Sequence, residues 1–414
     1  MKALLNLFSG VHTVGRDSIT LGGVLLPAQL ETLHQLLVGS TGTGKTTLVD
    51  EVLSVAIPRG DRCIIVDPNG HHLSRFYRDG DVVLNPFDVR SPGWSLFNEL
   101  RVDYDCDRLA RNVVPNGEGG DAQWHFYAQT LLAEILRSLH VRSERDTGAL
   151  MHWATMASSK DLAKLLANTP AAGLFDTDAA RALASTRFIL TAHLNAHKYV
   201  PPGTFSLRDW LASSSGNLFI TWREDMQTAL MPLVSTWVDI LCNAILSLTP
   251  NAHRRLWLSL DELGALGRLN SLEAALTRGR KYGLCVIAGL QAMAQLERTY
   301  GRQSALVLRS CFRNLVVLSV AKSDPDTADL LSRALGEREI EREQPSRSDG
   351  PGGITKSVTL QRATERIALA GEITSLPNLA GYLALAGDVG IERIRIVPHE
   401  RPIVAKAIEE VPSC

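Results

Sequence analysis

A short segment near the amino-terminal end of the sequence has the spacing of a phosphate-binding loop. Residues 39–46 read Gly-Ser-Thr-Gly-Thr-Gly-Lys-Thr and fit the pattern GxxxxGK(S/T). Glycines in such a loop let backbone N–H groups converge on phosphate oxygens, and the start of the following helix adds the positive end of its dipole. We expect Lys45 to contact the β- and γ-phosphates and the Thr46 hydroxyl to bind Mg²⁺.

The segments on either side of this loop favour a nucleotide site over a glycine-rich turn with an exposed lysine. Residues 35–38 have the pattern of a strand, and residues 46–57 have the pattern of a helix that is followed by Pro58. Strand, loop and helix in this order are the context in which the motif binds phosphate. The residues predicted to bind the nucleotide are Gly39, Ser40, Thr41, Gly42, Thr43, Gly44, Lys45, Thr46 and Thr47.

Two adjacent carboxylates follow a second apolar segment. Residues 256–260 are largely apolar and lead directly into Asp261 and Glu262. A phosphate-binding loop requires an acid on the magnesium side, at the end of a buried strand. We predict that Asp261 binds Mg²⁺, directly or through water, and that Glu262 orients the attacking water or accepts its proton. The alternatives are a strand end with two solvated acids, or Asp67 as the magnesium residue, although a turn signal follows Asp67.

Gln291 and Arg280 are two further candidates for the reaction. Gln291 follows the strand-like residues 284–290, so its amide should reach the γ-phosphate, unless it only begins the next helix. Arg280 ends a predicted helix of about eleven residues, and at 1.5 Å per residue this carries it roughly 16 Å from the nucleotide edge. Arg280 is therefore poorly placed for the nucleotide of its own chain and better placed for the nucleotide of a neighbouring subunit. The alternative for Arg280 is a solvated basic cluster.

Short apolar runs separated by helical patterns predict the elements that position these residues. The runs are mostly rich in Val, Ile and Leu without polar alternation, as strands buried on both faces require. Their order predicts an α/β fold with a predominantly parallel sheet. The predicted strands are residues 35–38, 63–66, 82–84, 218–221, 256–260, 284–288, 315–320 and 382–386, with 391–397 as an edge strand.

The region from residue 96 to 210 departs from this alternation. It has helical periodicity and no convincing strand, for example in the spacing of Trp124, Tyr127, Leu131 and Ile135. We therefore predict a nucleotide-binding domain in two parts, residues 1–95 and 211–414, with an all-α insertion at 96–210. Residues 343–356 are rich in Pro, Gly and Ser, which predicts a mobile loop.

Composition limits the possible environment and partners. The 43 Lys and Arg residues balance 44 Asp and Glu residues, so no overall basic field attracts nucleic acid, and any DNA contact must be local. The six cysteines are dispersed, which is typical of a reduced, cytoplasmic protein. We find no uninterrupted apolar run of about 18 residues, and we therefore expect no transmembrane helix.

The order of the motifs resembles one family over about residues 20 to 390. The type IV coupling proteins of bacterial conjugation, in the TrwB-like branch related to TraD and TraG, are similar to this chain in a series of segments. These segments are HQLLVGSTGTGKTTL, RCIIVDPNG, VVLNPFD, GWSLFNE, GNLFITWRED, RRLWLSLDELGALGRL, TRGRKYG, AGLQ and FRNLVVL.

The resemblance implies a RecA-like P-loop NTPase domain with an inserted all-α domain. It implies ATP and Mg²⁺ as cofactors and a homo-hexameric ring that moves DNA toward a type IV secretion system. It makes Asp261 and Glu262 the Walker B pair, Gln291 the sensor and Arg280 the intersubunit arginine. The implied partners are DNA, the relaxase–DNA complex and components of the secretion system.

Family members usually begin with a transmembrane segment, which we do not expect in this chain. A cytoplasmic protein that a partner recruits to the inner membrane is one interpretation. A cytosolic DNA translocase of plasmid or mobile-element processing is a second interpretation, and an ATP-gated docking platform for the DNA–relaxase complex is a third. Candidate DNA-contacting residues are Arg254, Arg255, Arg278, Lys281, Arg298, Arg302 and Arg309.

Overall fold

The computed structural model describes residues 18–212, 215–350, 353–387 and 390–411. The strands in this part of the chain are β1 (Thr20–Leu21), β2 (Val24–Leu25), β3 (Gln35–Val38), β4 (Arg62–Pro68), β5 (Val82–Leu84), β6 (Leu218–Trp222), β7 (Leu256–Leu260), β8 (Leu284–Leu290), β9 (Asn314–Val317), β10 (Glu337–Gly350), β11 (Gly353–Arg366), β12 (Ala380–Ala384) and β13 (Ile391–Arg395). The α-helices are α1 (Ala28–Glu31), α2 (Lys45–Arg59), α3 (His71–Phe76), α4 (Asp105–Val113), α5 (Ala122–Val141), α6 (Thr147–Met151), α7 (Ser159–Leu165), α8 (Ala180–Leu194), α9 (Leu207–Ala212), α10 (Gln227–Ile245), α11 (Leu272–Arg278), α12 (Met293–Cys311), α13 (Pro325–Leu335) and α14 (Ala370–Thr374).

A nine-stranded sheet in the order β13-β12-β9-β3-β8-β7-β4-β6-β5 forms the centre of the structure. The pairs from β9 to β5 are parallel, whereas β12 pairs antiparallel with both β9 and β13. The eight predicted apolar strands all lie in this sheet. The predicted edge strand, β13, lies at one edge, and β5 lies at the other. The predicted α/β fold with a predominantly parallel sheet is therefore confirmed.

Both faces of the sheet are covered, which explains why the strands lack polar alternation. In β3, Leu36 and Val38 belong to one hydrophobic cluster, whereas Leu37 belongs to another. The second cluster contains the buried face of α2, including Leu48 and Val52. The phosphate-binding loop and its helix are thus anchored to a rigid core.

Helix α2 extends further than its sequence predicts. It runs through Pro58 to Arg59, and Gly60 ends it with a φ of 90°. Pro58 lies in the last turn, where its missing N–H removes only one bond. The Gly60 N–H bonds to the carbonyls of Ala56 and Ile57, which satisfies this end of the helix.

Every element described between β5 and β6 is helical, as the sequence predicts. These elements are α4 to α9 with short 3₁₀ and π turns between them. Helix α10 packs against α4, α8 and α9, and its Trp237 ring meets that of Trp94 at 5.8 Å. The helical segment therefore shares a continuous core with the sheet, and its boundaries as a domain stay a prediction.

The prediction of a loop at residues 343–356 is wrong for the part of this segment that the structure describes, because that part forms two strands. Strands β10 and β11 form a continuous antiparallel ladder from Glu337↔Arg366 to Gly350↔Gly353. Backbone pairing along this ladder compensates for the low strand propensity of the Pro, Gly and Ser residues. Arg338 and Arg342 add ion pairs to Glu365, each at 3.0 Å. Pro351 and Gly352 lie outside the described residues, and the mobility of the segment stays a prediction.

Within the described ranges, one helix is long and apolar enough to cross a membrane by composition alone. It spans Glu224–Ile245, and 72% of its apolar window is buried inside the protein. The buried face of this helix forms part of the core between the sheet and the helical segment.

Candidate nucleotide-binding site

The phosphate-binding loop lies between β3 and α2 at the carboxyl edge of the parallel strands. Gly42 and Gly44 have φ angles of 78° and 116°, in the left-handed region that favours glycine. A Cβ atom on Gly44 would lie 2.7 Å from Ile396 Cδ1, so a larger residue has no room there. Hydrogen bonds from the Gly39 and Ser40 N–H groups to Leu290 and Ser319 tie the loop to neighbouring strands.

Lys45 begins α2, and its ammonium group is held against the loop. Nζ donates to the carbonyl oxygens of Gly39 at 2.7 Å and Ser40 at 3.1 Å, and the residue is only 8% exposed. Burial lowers the pKa of Lys45, while the charges of Glu262 and Asp261 act in the opposite direction. The site therefore concentrates one positive charge where phosphate oxygens would lie.

Thr46 and Asp261 meet across the sheet edge. The Thr46 hydroxyl donates to Asp261 Oδ2 at 2.9 Å. Asp67 instead accepts the Leu73 N–H at 2.7 Å, at the start of α3, and is buried. This contact favours Asp261 over Asp67 as the acid of a Mg²⁺ site, because a hydroxyl and a carboxylate oxygen converge only at Asp261.

Glu262 is hydrogen-bonded by two glutamines. Gln291 Nε2 donates to Glu262 Oε2 at 2.8 Å, and Gln295 Nε2 donates to Oε1 at 3.4 Å. Burial raises the pKa of Glu262, and the Gln291 hydrogen bond and the Lys45 charge partly offset that effect. Sequence reasoning did not identify Gln295, although it lies one helical turn beyond Gln291.

These residues line one cleft of about 480 Å³. Six of the nine predicted loop residues form part of its wall, together with Asp261, Glu262 and Gln291. Gly39, Ser40 and Thr43 are not in the lining. Trp222, Glu224 and Gln227 contribute to the wall from the end of β6 and the start of α10. The remaining lining residues are Pro68, Asn69, His71, Ala265 and Leu379.

Arg280 does not lie in this cleft. It is exposed, in a 3₁₀ turn that precedes Leu284, the first residue of β8. Leu284 pairs with Leu256 at the amino ends of the parallel strands, whereas Asp261 follows the carboxyl end of β7. A five-residue strand at about 3.3 Å per residue separates the two edges by roughly 16 Å. The arginine is thus too far away to contact a nucleotide bound to its own chain.

The other basic candidates differ in their surroundings. Arg255 pairs with the buried carboxylate of Glu31 at 2.7 Å, and Arg254 donates to the carbonyl of Thr249 at 3.0 Å. Arg278 and Lys281 are exposed beside Arg280. Arg298 and Arg302 of α12 are exposed as well, and Arg309 is half-buried. Exposed basic candidates therefore lie both at the turn that contains Arg280 and on α12.

The structure also brings together three residues that sequence reasoning missed. Asp50 lies on α2 behind Thr46, and it accepts contacts from His71 Nε2 at 3.0 Å and His72 Nδ1 at 2.8 Å. One possible ligand atom from each of the three residues lies within 4.8 Å of the other two. Two imidazoles and one carboxylate are also ligands that a transition metal accepts. The sequence signal for this cluster is the adjacent pair His71 and His72, which follows the predicted strand 63–66 after a four-residue turn.

His72 is the buried member of this cluster. Its burial disfavours the charged form, but the hydrogen bond to Asp50 and the charges of Asp67 and Asp261 together raise the pKa of His72 to about 9. At neutral pH the imidazolium therefore offsets part of the negative charge behind the cleft.

A glycine-rich loop joins a buried parallel strand to a helix, and Thr46 bonds the acid that follows β7, two strands away from β3. This arrangement defines a P-loop NTPase of the RecA-like class. The fold and the order of its elements allow a narrower assignment. The chain belongs to the family described as the type IV secretion-system coupling protein DNA-binding domain, whose model matches residues 18–397.

Solved structures of a coupling protein are similar to this chain over most of its length. The bacterial conjugative coupling protein TrwBdeltaN70, in an unbound monoclinic form, is 44% identical with a TM-score of 0.91, over 95% of this chain and 92% of that chain. The plasmid coupling protein TrwB in complex with ADP and Mg²⁺ is also 44% identical, with a TM-score of 0.89 and the same coverage.

A curated relative is similar at lower identity. The coupling protein TraD of Escherichia coli (strain K12) is 29% identical over 411 residues, which cover 94% of this chain and 56% of TraD. The chain thus spans little more than half the length of this relative.

Proposed function

We propose that this protein is a Mg²⁺-dependent ATPase that uses hydrolysis to move DNA toward a type IV secretion channel in conjugation. The observation that carries the proposal is the convergence of Lys45, Thr46, Asp261, Glu262 and Gln291 in one cleft. The family assignment and the TrwB complex with ADP and Mg²⁺ support the nucleotide and the metal.

The residues present fit ATP and Mg²⁺. The left-handed glycines let the loop backbone approach phosphates, and the Thr46 hydroxyl is directed at Asp261. Asp261 Oδ1 is buried without a hydrogen-bond partner among the described residues, so an oxygen remains for the ion or its water. In this proposal residues 39–47 bind the nucleotide, and Thr46 and Asp261 hold Mg²⁺, which neutralises charge on the β- and γ-phosphates.

The proposed reaction uses Glu262 as the base and Lys45 as the charge stabiliser. A carboxylate with a raised pKa is a stronger proton acceptor, so Glu262 takes a proton from the attacking water. Gln291 and Gln295 fix both carboxylate oxygens, which orients the group. Lys45 exchanges its carbonyl contacts for phosphate oxygens and stabilises the transition state electrostatically.

Glu262 also favours a motor over an ATP-gated docking platform. A platform needs a nucleotide-dependent change of shape but no rapid hydrolysis. Glu262 is a half-buried carboxylate that two amides orient beside the phosphate-binding loop, and this arrangement favours rapid hydrolysis.

We propose that the active form is a homo-hexamer in which Arg280 completes the cleft of a neighbouring subunit. The support is its exposed position about one strand length from its own loop. Arg278 and Lys281 beside it provide local positive charge for DNA. The relaxase–DNA complex and secretion components would then bind the ring, on the cytoplasmic side of the inner membrane.

ATP turnover with and without single- and double-stranded DNA tests the proposal. We expect DNA to accelerate turnover by the wild-type chain, and Lys45→Ala and Glu262→Gln each to reduce it by about 10²- to 10³-fold. Turnover that DNA does not change and that persists in Glu262→Gln would refute the motor.

Mixing variants in the same assay tests Arg280. Arg280→Ala subunits retain an intact loop, and Lys45→Ala subunits retain the arginine, so mixed rings should recover part of the activity. No recovery at any mixing ratio would count against action between subunits.

A further inference from the structure

The buried imidazole of His72 lies between two carboxylates behind the nucleotide cleft. Its side chain has no exposed surface, and its two ring nitrogens face different acids. Nδ1 is 2.8 Å from Asp50 Oδ1, and Nε2 is 3.9 Å from Asp261 Oδ2. The imidazole therefore connects α2 and α3 with the end of β7.

The ring nitrogen of His72 that faces Asp261 lacks a hydrogen-bond partner. His72 Nε2 is buried and has no hydrogen-bond partner within the described ranges. Buried polar atoms in folded proteins nearly always find partners, so Nε2 favours a closer approach to the Asp261 carboxylate. The Asp261 oxygen that faces Nε2 is Oδ2, which also accepts the Thr46 hydroxyl at 2.9 Å, so His72 and Thr46 both act on Oδ2 and leave Oδ1 for the ion.

His71 provides a natural comparison. It also bonds Asp50, at 3.0 Å, but its side chain is 38% exposed, and among the described residues its ion-pair partner is Asp50 and not Asp261. If the cluster served only to hold α3 against α2, or to bind a transition metal with Asp50, both histidines would matter. If the cluster orients Asp261, only the substitution of His72 would change Mg²⁺ binding.

We propose that His72 is a positioning residue that holds Asp261 in the orientation in which it binds Mg²⁺ with Thr46, with Asp50 fixing the imidazole ring from the opposite side. Groups behind a metal ligand commonly orient that ligand and tune its affinity. The inference rests on the proposed Mg²⁺–nucleotide site and adds two residues to it, His72 and Asp50.

Binding of a fluorescent ADP analogue to the full chain over a range of Mg²⁺ concentrations tests this role. His72→Asn keeps an N–H donor near the Nδ1 position, toward Asp50, and removes the one toward Asp261. We expect it to raise the Mg²⁺ concentration for half-maximal effect by about 10- to 100-fold. His72→Gln, whose amide reaches the Nε2 position, should stay much closer to wild type.

Two controls separate positioning from a general loss of structure. His71→Gln changes a side chain on the cleft wall, so any effect on analogue binding should be equal with and without Mg²⁺, and the Mg²⁺ concentration for half-maximal effect should stay close to wild type. Analogue binding in the presence of EDTA should be the same for wild type, His72→Asn and His72→Gln. Asp50→Asn keeps His72 but weakens its orientation, so it should shift the Mg²⁺ dependence in the same direction by a smaller factor. This variant also tests the role if His72→Asn fails to fold.

A wild-type Mg²⁺ dependence in both His72→Asn and Asp50→Asn would overturn the proposal. An equal shift in His71→Gln would overturn it too and would indicate a metal or structural role for the whole cluster. Because the readout is binding, it does not depend on hydrolysis. A chain that binds Mg²⁺ and ADP but does not turn over ATP would contradict the proposed function and leave this test intact.

Discussion

The carboxylate of Glu262 accepts a hydrogen bond from Gln291 at 2.8 Å. This bond and the positive charge of Lys45 both act to lower the pKa of Glu262. Burial nevertheless raises its pKa above the ordinary value of 4.5. At the scale of single residues, this environment determines both the strength of the proposed base and the pH at which it works.

The rate of ATP hydrolysis should therefore fall on acidification. The fall should begin at a higher pH than it would if the base were a glutamate with an ordinary pKa. The base must be ionised to accept a proton, so activity is lost as the pH decreases through the raised pKa. Gln291→Ala removes a hydrogen bond that favours the ionised form, and it should move this acid limb to still higher pH. The pH–rate profiles of the wild type and of this variant measure both effects. An acid limb that stays in place or moves to lower pH in Gln291→Ala would contradict the assignment.

The residues that carry the phosphate site are predictable because their signal is local. Each part of this signal is contiguous in the sequence. The loop motif lies between Gln35–Val38 and α2, and the acid pair directly follows β7. His72 and Asp50 are 22 positions apart and have no shared motif. Their meeting depends on how α3 packs against α2, which the sequence pattern does not specify.

At the scale of elements, Asp239 connects three helices. This residue of α10 is 2% exposed, and it accepts hydrogen bonds from Asn112 of α4 at 3.0 Å and from the Ser271 N–H before α11 at 2.6 Å. Burial raises the pKa of Asp239 to about 7, and these hydrogen bonds only partly oppose the shift. The helical segment is thus connected to α10 and α11 through a carboxyl group whose pKa is raised by folding.

The stability of the fold should decrease as the pH rises from about 4 to about 7 because of this group. Its pKa is higher in the folded state than in the unfolded state, so the folded state binds more protons in this window. The loss is at most about 1.4 kcal/mol in the free energy of unfolding for each pH unit. Denaturant unfolding of wild type and Asp239→Asn across the window measures the difference. An equal pH dependence in the two proteins would contradict the assignment.

Helices and strands were predictable where the spacing of apolar residues is regular. They were not predictable where a segment has the composition of a loop but pairs as strands. All inner strands of the sheet follow apolar runs, and the helical region between β5 and β6 follows its periodicity. The hairpin of β10 and β11 was missed because Pro, Gly and Ser dominate residues 343–356. Its backbone pairs along the whole ladder despite that composition, so pairing between strands outweighed local propensity there.

At the scale of the whole molecule, the near-neutral charge limits where DNA can bind. With 43 basic and 44 acidic residues, attraction must come from local clusters such as Arg278, Arg280 and Lys281. A ring would place six copies of such a cluster around one axis. The sequence predicts the fold of one chain, but the faces that meet in a ring depend on surface shape, which no motif encodes.

The central claim is that hydrolysis in this cleft moves DNA. Displacement of a triplex-forming oligonucleotide from double-stranded DNA measures translocation directly. We predict that the wild-type chain displaces the oligonucleotide only with ATP and Mg²⁺, and that Glu262→Gln binds ATP but does not displace it. DNA-stimulated hydrolysis by the wild type without any displacement would contradict the account.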